Sequence, residues 1–396
     1  MTARFPLARR RRSPLARLRR APSAVLAALL VASGAVTLAA CSGGNQTSTR
    51  SGAHASVPTR SGTDATPRSA AFRSVLQVVA SAEPWRLQAP VSRETLEPAG
   101  GELLVVGGLT ASGSSSNGLF VLDPTDGALA LRGVLADPVH DAGSAVLDGR
   151  LVVFGGGSPD TVATVQAIAL PGAPGTGPAG SISGTVIGQL PQPRSDLSVA
   201  TLTTRIGGHP STTAYVVGGY DGATYLPEVL ATADGTTYQQ VAALPVPVRY
   251  AAVAAAGGKI FAFGGETPTG ATDDIQMIDP EGHRATIVGH LPVPLYGASA
   301  VSLGGRILVI GGFSPGGSLA VGGSPVTHAS VLTFDPATAA TTTVAALPGP
   351  EAFAAAAVTG SGVTGTVYVV GGEVTATATN SAGSLATVDA LRQVAG

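Results

Sequence analysis

The residues best suited to chemistry stand at two recurring places in a sequence of which only 12% is charged. One set follows short proline-rich turns: Arg93 and Glu94, His140 and Asp141, Arg194 and Asp196, Arg249 and Tyr250, Tyr296, and Glu351 with Phe353. The other follows paired glycines: Asp160, Tyr220 with Asp221, Glu266, Phe313 and Glu373. Arginine beside tyrosine suits a carboxylate-bearing or sugar-like ligand, because a guanidinium forks onto carboxylates and a phenol offers a ring face and a hydroxyl. The same polarity is expected of any turn that meets water, and at the level of sequence both readings stand.

More specific chemistries find no support. His54, His140, His209, His283, His290 and His328 show no HxH or HExxH spacing, so no dedicated metal site is expected. His140 and Asp141 are adjacent, and on an extended strand consecutive side chains point to opposite faces, which argues against an acid/base pair. There is no GxSxG elbow for an acyl nucleophile. The glycines before Lys259 belong to neither GxxxxGK[ST] nor GxGxxG, so they do not cradle phosphate. No catalytic residue and no cofactor are assigned.

The glycine pairs are a repeat. "LLVVGG" ends at Gly108, "LVVFGG" at Gly156, "AYVVGG" at Gly219, "IFAFGG" at Gly265, "ILVIGG" at Gly312 and "VYVVGG" at Gly372. The apolar runs are rich in Val, Ile, Phe and Tyr, and so read as buried strands. A leucine with a proline-rich turn precedes each pair, at Leu87, Leu135, Leu190, Leu244, Leu291 and Leu347. In four copies the leucine lies 20 residues before the first glycine. An Asp-Pro turn at Asp123, Asp279 and Asp335 falls 12 residues before the next leucine. Aspartate caps its own turn and proline fixes the next φ, so a strand ends there. These offsets define a unit of 47–56 residues with four strands, the size of a propeller blade.

With Gly-Gly after its second strand and Asp-Pro between its third and fourth, the unit resembles the kelch repeat. The resemblance runs from Glu83 to Gly396 and departs in detail: the tyrosine before Asp-Pro is replaced by Leu122, Ile278 or Phe334, and the fourth-strand tryptophan survives only as Trp85. It implies an all-β, six-bladed β-propeller of four-stranded blades. The stretch "EPWR" before Leu87 reads as a lone fourth strand that completes the last blade and closes the ring. Inner strands such as "AAVAAAGG" are built from small residues, as crowding at an axis requires; Glu94 and Glu97 in the first blade need water or a partner. Kelch-like propellers include the galactose oxidase family, whose cofactor is a cysteine–tyrosine crosslink beside copper. Cys41, the single cysteine, stands elsewhere.

Residues 1–40 hold no acid and eight arginines, all by Arg20; the apolar run "AVLAALLVASGAV" (24–36) follows them, and then "LAAC", Leu38 to Cys41. The order is that of a signal peptide, and the last four residues resemble the bacterial lipobox. That resemblance implies cleavage before Cys41 and a diacylglycerol on its sulfur. Residues 41–70 are rich in Ser, Thr, Gly and Pro and read as a flexible tether. Residues 71–396 form the propeller. Without the leader 15 basic residues face 24 acidic ones, a balance that disfavours nucleic acid.

Together these features point to a monomer held by lipidated Cys41 on the extracytoplasmic face of the cell membrane. Its expected role is non-catalytic binding of a protein or glycan. The alternative is a sugar mutarotase resembling the six-bladed sialate mutarotases. The ligand-facing candidates are Arg93, Glu94, His140, Asp141, Arg194, Tyr220, Asp221, Arg249, Tyr250, Glu266, Tyr296, Glu351 and Glu373. The Gly/Pro-rich loops at 171–182 and 313–327 serve either role, or are surface insertions.

Overall fold

A computed structural model describes residues 77–170, 182–316, 323–375 and 383–394. The leader, Cys41 and the tether lie outside the described residues, as do most of the 171–182 loop and the middle of the 313–327 loop.

Six antiparallel sheets succeed one another along the chain, each running from an inner to an outer strand. Blade I has inner strand Thr95–Ala99, then Glu102–Val106, Ser116–Leu122 and Leu129–Val139. The inner strands of blades II to VI are Gly143–Leu147, Ser198–Ile206, Ala252–Ala256, Ser299–Leu303 and Ala355–Thr359. Each inner strand contacts that of the next blade, and the sixth contacts the first, so the sheets form a closed ring. The propeller expected from the repeat is present, with six blades.

The ring closes through the N-terminus, one element upstream of the expected place. Val78–Ala82 pairs antiparallel with Val388–Gln393 as the outer strand of blade VI. "EPWR" is not that strand. Its proline lacks the N–H a ladder needs, and Trp85 instead packs into the apolar cluster between blades VI and I. Blade I also departs from four strands. Its outer strand runs unbroken through the expected proline turn to Val139, and Ile182–Ser183 adds a fifth strand parallel to it.

The core is divided into six wedges, one between each pair of neighbouring blades. Ile260 and Ala262 pack toward blade III, whereas Phe261 and Phe263 of the same strand pack toward blade V. This two-sided burial is why the second strands are continuous apolar runs rather than alternating ones.

The glycine pairs join the blades. Both members adopt positive φ in all six copies. The N–H of the second glycine donates to a carbonyl in the leading turn of the next blade, at 2.7–2.9 Å, with Gly372 bonding to Val91 to complete the circle. A Cβ on the first glycine would stand 2.1–2.7 Å from that same carbonyl oxygen. Close approach of backbone to backbone, not a ligand, is what requires glycine here. Lys259 has an equally structural role: its Nζ donates to Asp279 Oδ1 at 2.6 Å, which holds that carboxyl below its ordinary range and anchors the Asp-Pro turn.

Candidate functional site

The turn leading into each inner strand bridges to the residue after each glycine pair, as His140–Gly157, Ser195–Tyr220, Arg249–Glu266, Tyr296–Phe313 and Ala352–Glu373. Both candidate sets therefore meet on one face, around the mouth of the axial channel.

A closed belt of backbone builds that mouth. Arg93, Asp141, Asp196, Tyr250, Gly297 and Phe353, one from each blade, all have φ between 51° and 62°. The N–H of each donates to the carbonyl of the residue before it in this order, and Arg93 N donates to Phe353 O; the six bonds span 2.7–3.1 Å. A left-handed residue other than glycine costs about 1–2 kcal/mol. Five of the six bear that cost, and the belt's hydrogen bonds offset it by satisfying the turn's buried backbone groups.

Two guanidiniums cross the mouth. Arg93 donates from Nε to Glu373 Oε1 at 2.6 Å, and from Nη1 to Asp141 Oδ2 and to the Tyr250 hydroxyl, both at 3.0 Å. Its guanidinium lies 4.1 Å from the Phe353 ring centre. Arg249 donates to Glu266 Oε2 at 3.0 Å and to Asp196 Oδ2 at 3.3 Å, and lies 5.1–5.3 Å from the rings of Tyr220, Tyr225 and Tyr250. Tyr250 meets Phe353 edge to face at 4.8 Å, and Tyr296 and Phe313 extend the aromatic run. Burial works against the Arg93 charge, yet Asp141 and Glu373 outweigh it and raise its pKa. Burial pushes the Asp141 carboxyl up while Arg93 opposes it. Burial, then the Asp141 charge, pushes Asp196 up to about 6.

Arg93, Asp141, Tyr250, Glu373, Arg249, Glu266, Tyr220 and Tyr296 are thus brought together. Of the other candidates, His140 flanks the mouth beside Asp141, and Arg194, Asp221, Glu94 and Glu351 stand elsewhere. Arg194 is buried under blade III, where Nη1 donates to the carbonyls of Gly218 at 2.9 Å and Glu228 at 3.0 Å. Asp221 accepts from the Ala223 and Thr224 N–H groups at 2.8 and 2.6 Å and caps its own turn. Glu94 lies below the belt with its carboxyl buried against Gly371, between blades I and VI, and Glu351 lines a separate cavity in blade VI. His140 bonds Ser115 through Nδ1 at 2.9 Å and brings Nε2 to 3.7 Å from Asp141 Oδ2. These two do converge, against the expectation for neighbours on a strand, because Asp141 is left-handed rather than extended. Tyr225, which no repeat marker singles out, is bent back by its loop to meet Tyr220 edge to face at 5.5 Å.

Residues 247–284, from the leading turn of blade IV to the start of its outer strand, match the family model described as the Kelch motif. The protein is a six-bladed β-propeller with a kelch motif in its fourth blade. No curated protein matches the chain. The matched kelch blade contributes Arg249, Tyr250 and Glu266 to the mouth, so the motif and the candidate site share a segment.

One group among the described residues has metal-ligating atoms within 4.8 Å of one another: Asp273, Asp274 and His290. Sequence spacing concealed it because Asp274 and His290 pair across strands of the kelch blade. It lies on the surface, where His290 Nδ1 stands 3.2 Å from Asp273 Oδ1 and 3.3 Å from Asp274 Oδ1.

Proposed function

We propose that this kelch propeller is a lipid-anchored, extracytoplasmic binding module with no chemistry of its own, and that its mouth receives a protein or glycan partner. One observation carries the reading: the charged groups of the mouth are matched to one another, Arg93 to Asp141 and Glu373, and Arg249 to Asp196 and Glu266. Guanidiniums engaged in this way are poorly disposed to clamp an anionic substrate. What they leave for a partner is the half-buried ring faces of Tyr220, Tyr225, Tyr296 and Phe353. Four carboxyl groups against two guanidiniums disfavour an acidic ligand and suit a neutral, hydroxyl-rich one or a basic segment of protein.

In a thermal-shift screen of the full-length protein, neutral glycans and cell-wall fragments are expected to outperform acidic sugars. A ligand at 100 times its Kd adds about 2.7 kcal/mol of stability, and Tyr296→Ala should abolish the shift. Stabilisation by acidic sugars alone, unaffected by Tyr296→Ala, would refute this account of the mouth.

Sugar mutarotation is the second reading, favoured by the approach of Asp141, Asp196 and Tyr250, two carboxyls and a phenol beside two arginines. It requires anomer exchange that Asp196→Asn removes, measured by NMR.

For the anchor, two acyl chains on Cys41 would each contribute about 0.8 kcal/mol per buried methylene, enough in sum for stable attachment. Cys41→Ala should move the protein from the membrane to the soluble fraction. Retention of that variant on the membrane would contradict the lipid anchor.

A further inference from the structure

Blade VI differs from its neighbours at two internal positions, and both differences face one cavity. The first position follows the proline-rich turn. It is Val91, Val139, Val248 and Leu295 in blades I, II, IV and V, all apolar. Blade III places Arg194 there and fixes its guanidinium on the carbonyls of Gly218 and Glu228. Blade VI places Glu351, which is 3% exposed and whose Oε1 accepts no hydrogen bond from any described residue.

The second position is on the third strand. Gln166 and Gln276 hold it in blades II and IV, and each amide both donates to and accepts from the backbone of the proline turn, at Asp137 and at Val246. In blade VI it is Asp389, also 3% exposed, opposite a turn residue reduced to Gly349. The outcome is a cavity of about 350 Å³ lined by Glu351, Asp389, Thr387 and the Pro348–Pro350 turn, with Arg86 at its rim.

We infer that this cavity binds a small cation, a divalent metal ion or a primary ammonium, between Glu351 and Asp389. Blade III supplies its own cation at the equivalent place through Arg194. Blade VI supplies a carboxylate, and the pairing of Val217 with Val229 and of Val370 with Val388 puts Thr387 where blade III has Glu228. Thr387 Oγ1 donates to Glu351 Oε2 at 3.4 Å, leaving the other oxygen for a ligand. Arg86 is exposed, and its charge acts on Asp389. The charges that act on Glu351 are those of Asp389 and Glu94, both carboxyls. Burial first, then Asp389, pushes Glu351 up to about 8, so a bound cation would displace a proton. That displacement makes affinity rise with pH.

The test is titration calorimetry of the full-length protein with calcium and manganese chloride in one arm and methylammonium chloride in the other, at pH 6 and pH 8.5. One saturable site per chain is expected in one arm, tighter at pH 8.5. It should weaken at least tenfold in Glu351→Val, which installs the residue of three other blades, and in Glu351→Gln, which preserves shape. The arm that responds identifies the cation. Absence of saturable binding in both arms, or equal affinity in the two variants and the natural protein, would overturn the inference.

Discussion

Replacing Gly264 by alanine is expected to destabilise the propeller by on the order of 4 kcal/mol or more, while the same change at Gly257 costs about 1 kcal/mol. The two glycines share their backbone conformation, φ 60° and 59°, so the left-handed cost of alanine is common to both. They differ in surroundings. A Cβ at Gly257 meets nothing within 4 Å, whereas at Gly264 it would lie 2.2 Å from Leu295 O. That carbonyl belongs to the next blade and cannot withdraw freely, because it accepts the Gly265 N–H at 2.7 Å. Relief of the clash therefore breaks an interblade hydrogen bond and opens the apolar wedge in which Leu295 is buried. Urea unfolding of both variants measures the difference. Equal shifts in midpoint would mean that conformation alone, and not the approach of blades, selects glycine at this position.

The fold was legible because a blade is a local object. The offsets between leucine, glycine pair and Asp-Pro are set within one sheet, and repetition supplied six readings of the same geometry. Errors arose where geometry is not local. "EPWR" reads as the closing strand because Trp85 resembles the fourth-strand marker, but strand choice depends on Pro84 and on a partner more than 300 residues away. The mouth was legible as a location and not as a charge balance. Sequence placed Arg93 and Glu373 on one face, yet only the closed ring brings them to 2.6 Å and turns two apparent anion clamps into internal ion pairs. Arg194, Glu351 and Glu94 looked like mouth residues because the turn that carries them begins there. The left-handed residue and the one before it, such as Tyr250 and Arg249, point to the mouth, whereas the residues flanking that pair, such as Arg194, Glu351 and Glu94, turn inward.

Glu94→Ala is expected to raise stability at alkaline pH by a few kcal/mol and to flatten the fall in stability between pH 5 and 8.5. The equivalent position is Ala142, Ala251, Ala298 and Ala354 in blades II, IV, V and VI, so the backbone accepts alanine there. Glu94 is 7% exposed, no side chain donates to its carboxyl, and burial, only partly opposed by the backbone N–H groups of Glu94 and Ala355, pushes it up to about 8. In the unfolded chain a glutamate ionises near 4.3. Between these values the folded state holds a proton that the unfolded state has released, so each step up in pH favours unfolding. The stability is intact below about pH 4.3 and is lost as pH rises through about 8. Glu351, also pushed up to about 8, and Glu97, pushed up to about 7, act in the same direction and set the slope that remains in the variant. Glu94→Gln separates charge from polarity: it should flatten the slope as alanine does but gain less stability, because an unpartnered amide is still buried. Thermal unfolding of the three proteins across this range decides the matter. A variant slope equal to that of the natural protein would mean that Glu94 is ionised in the fold, with its charge compensated by the groups around it. A flattened slope would identify it as a neutral acid held beneath the mouth, at a position where four other blades carry alanine.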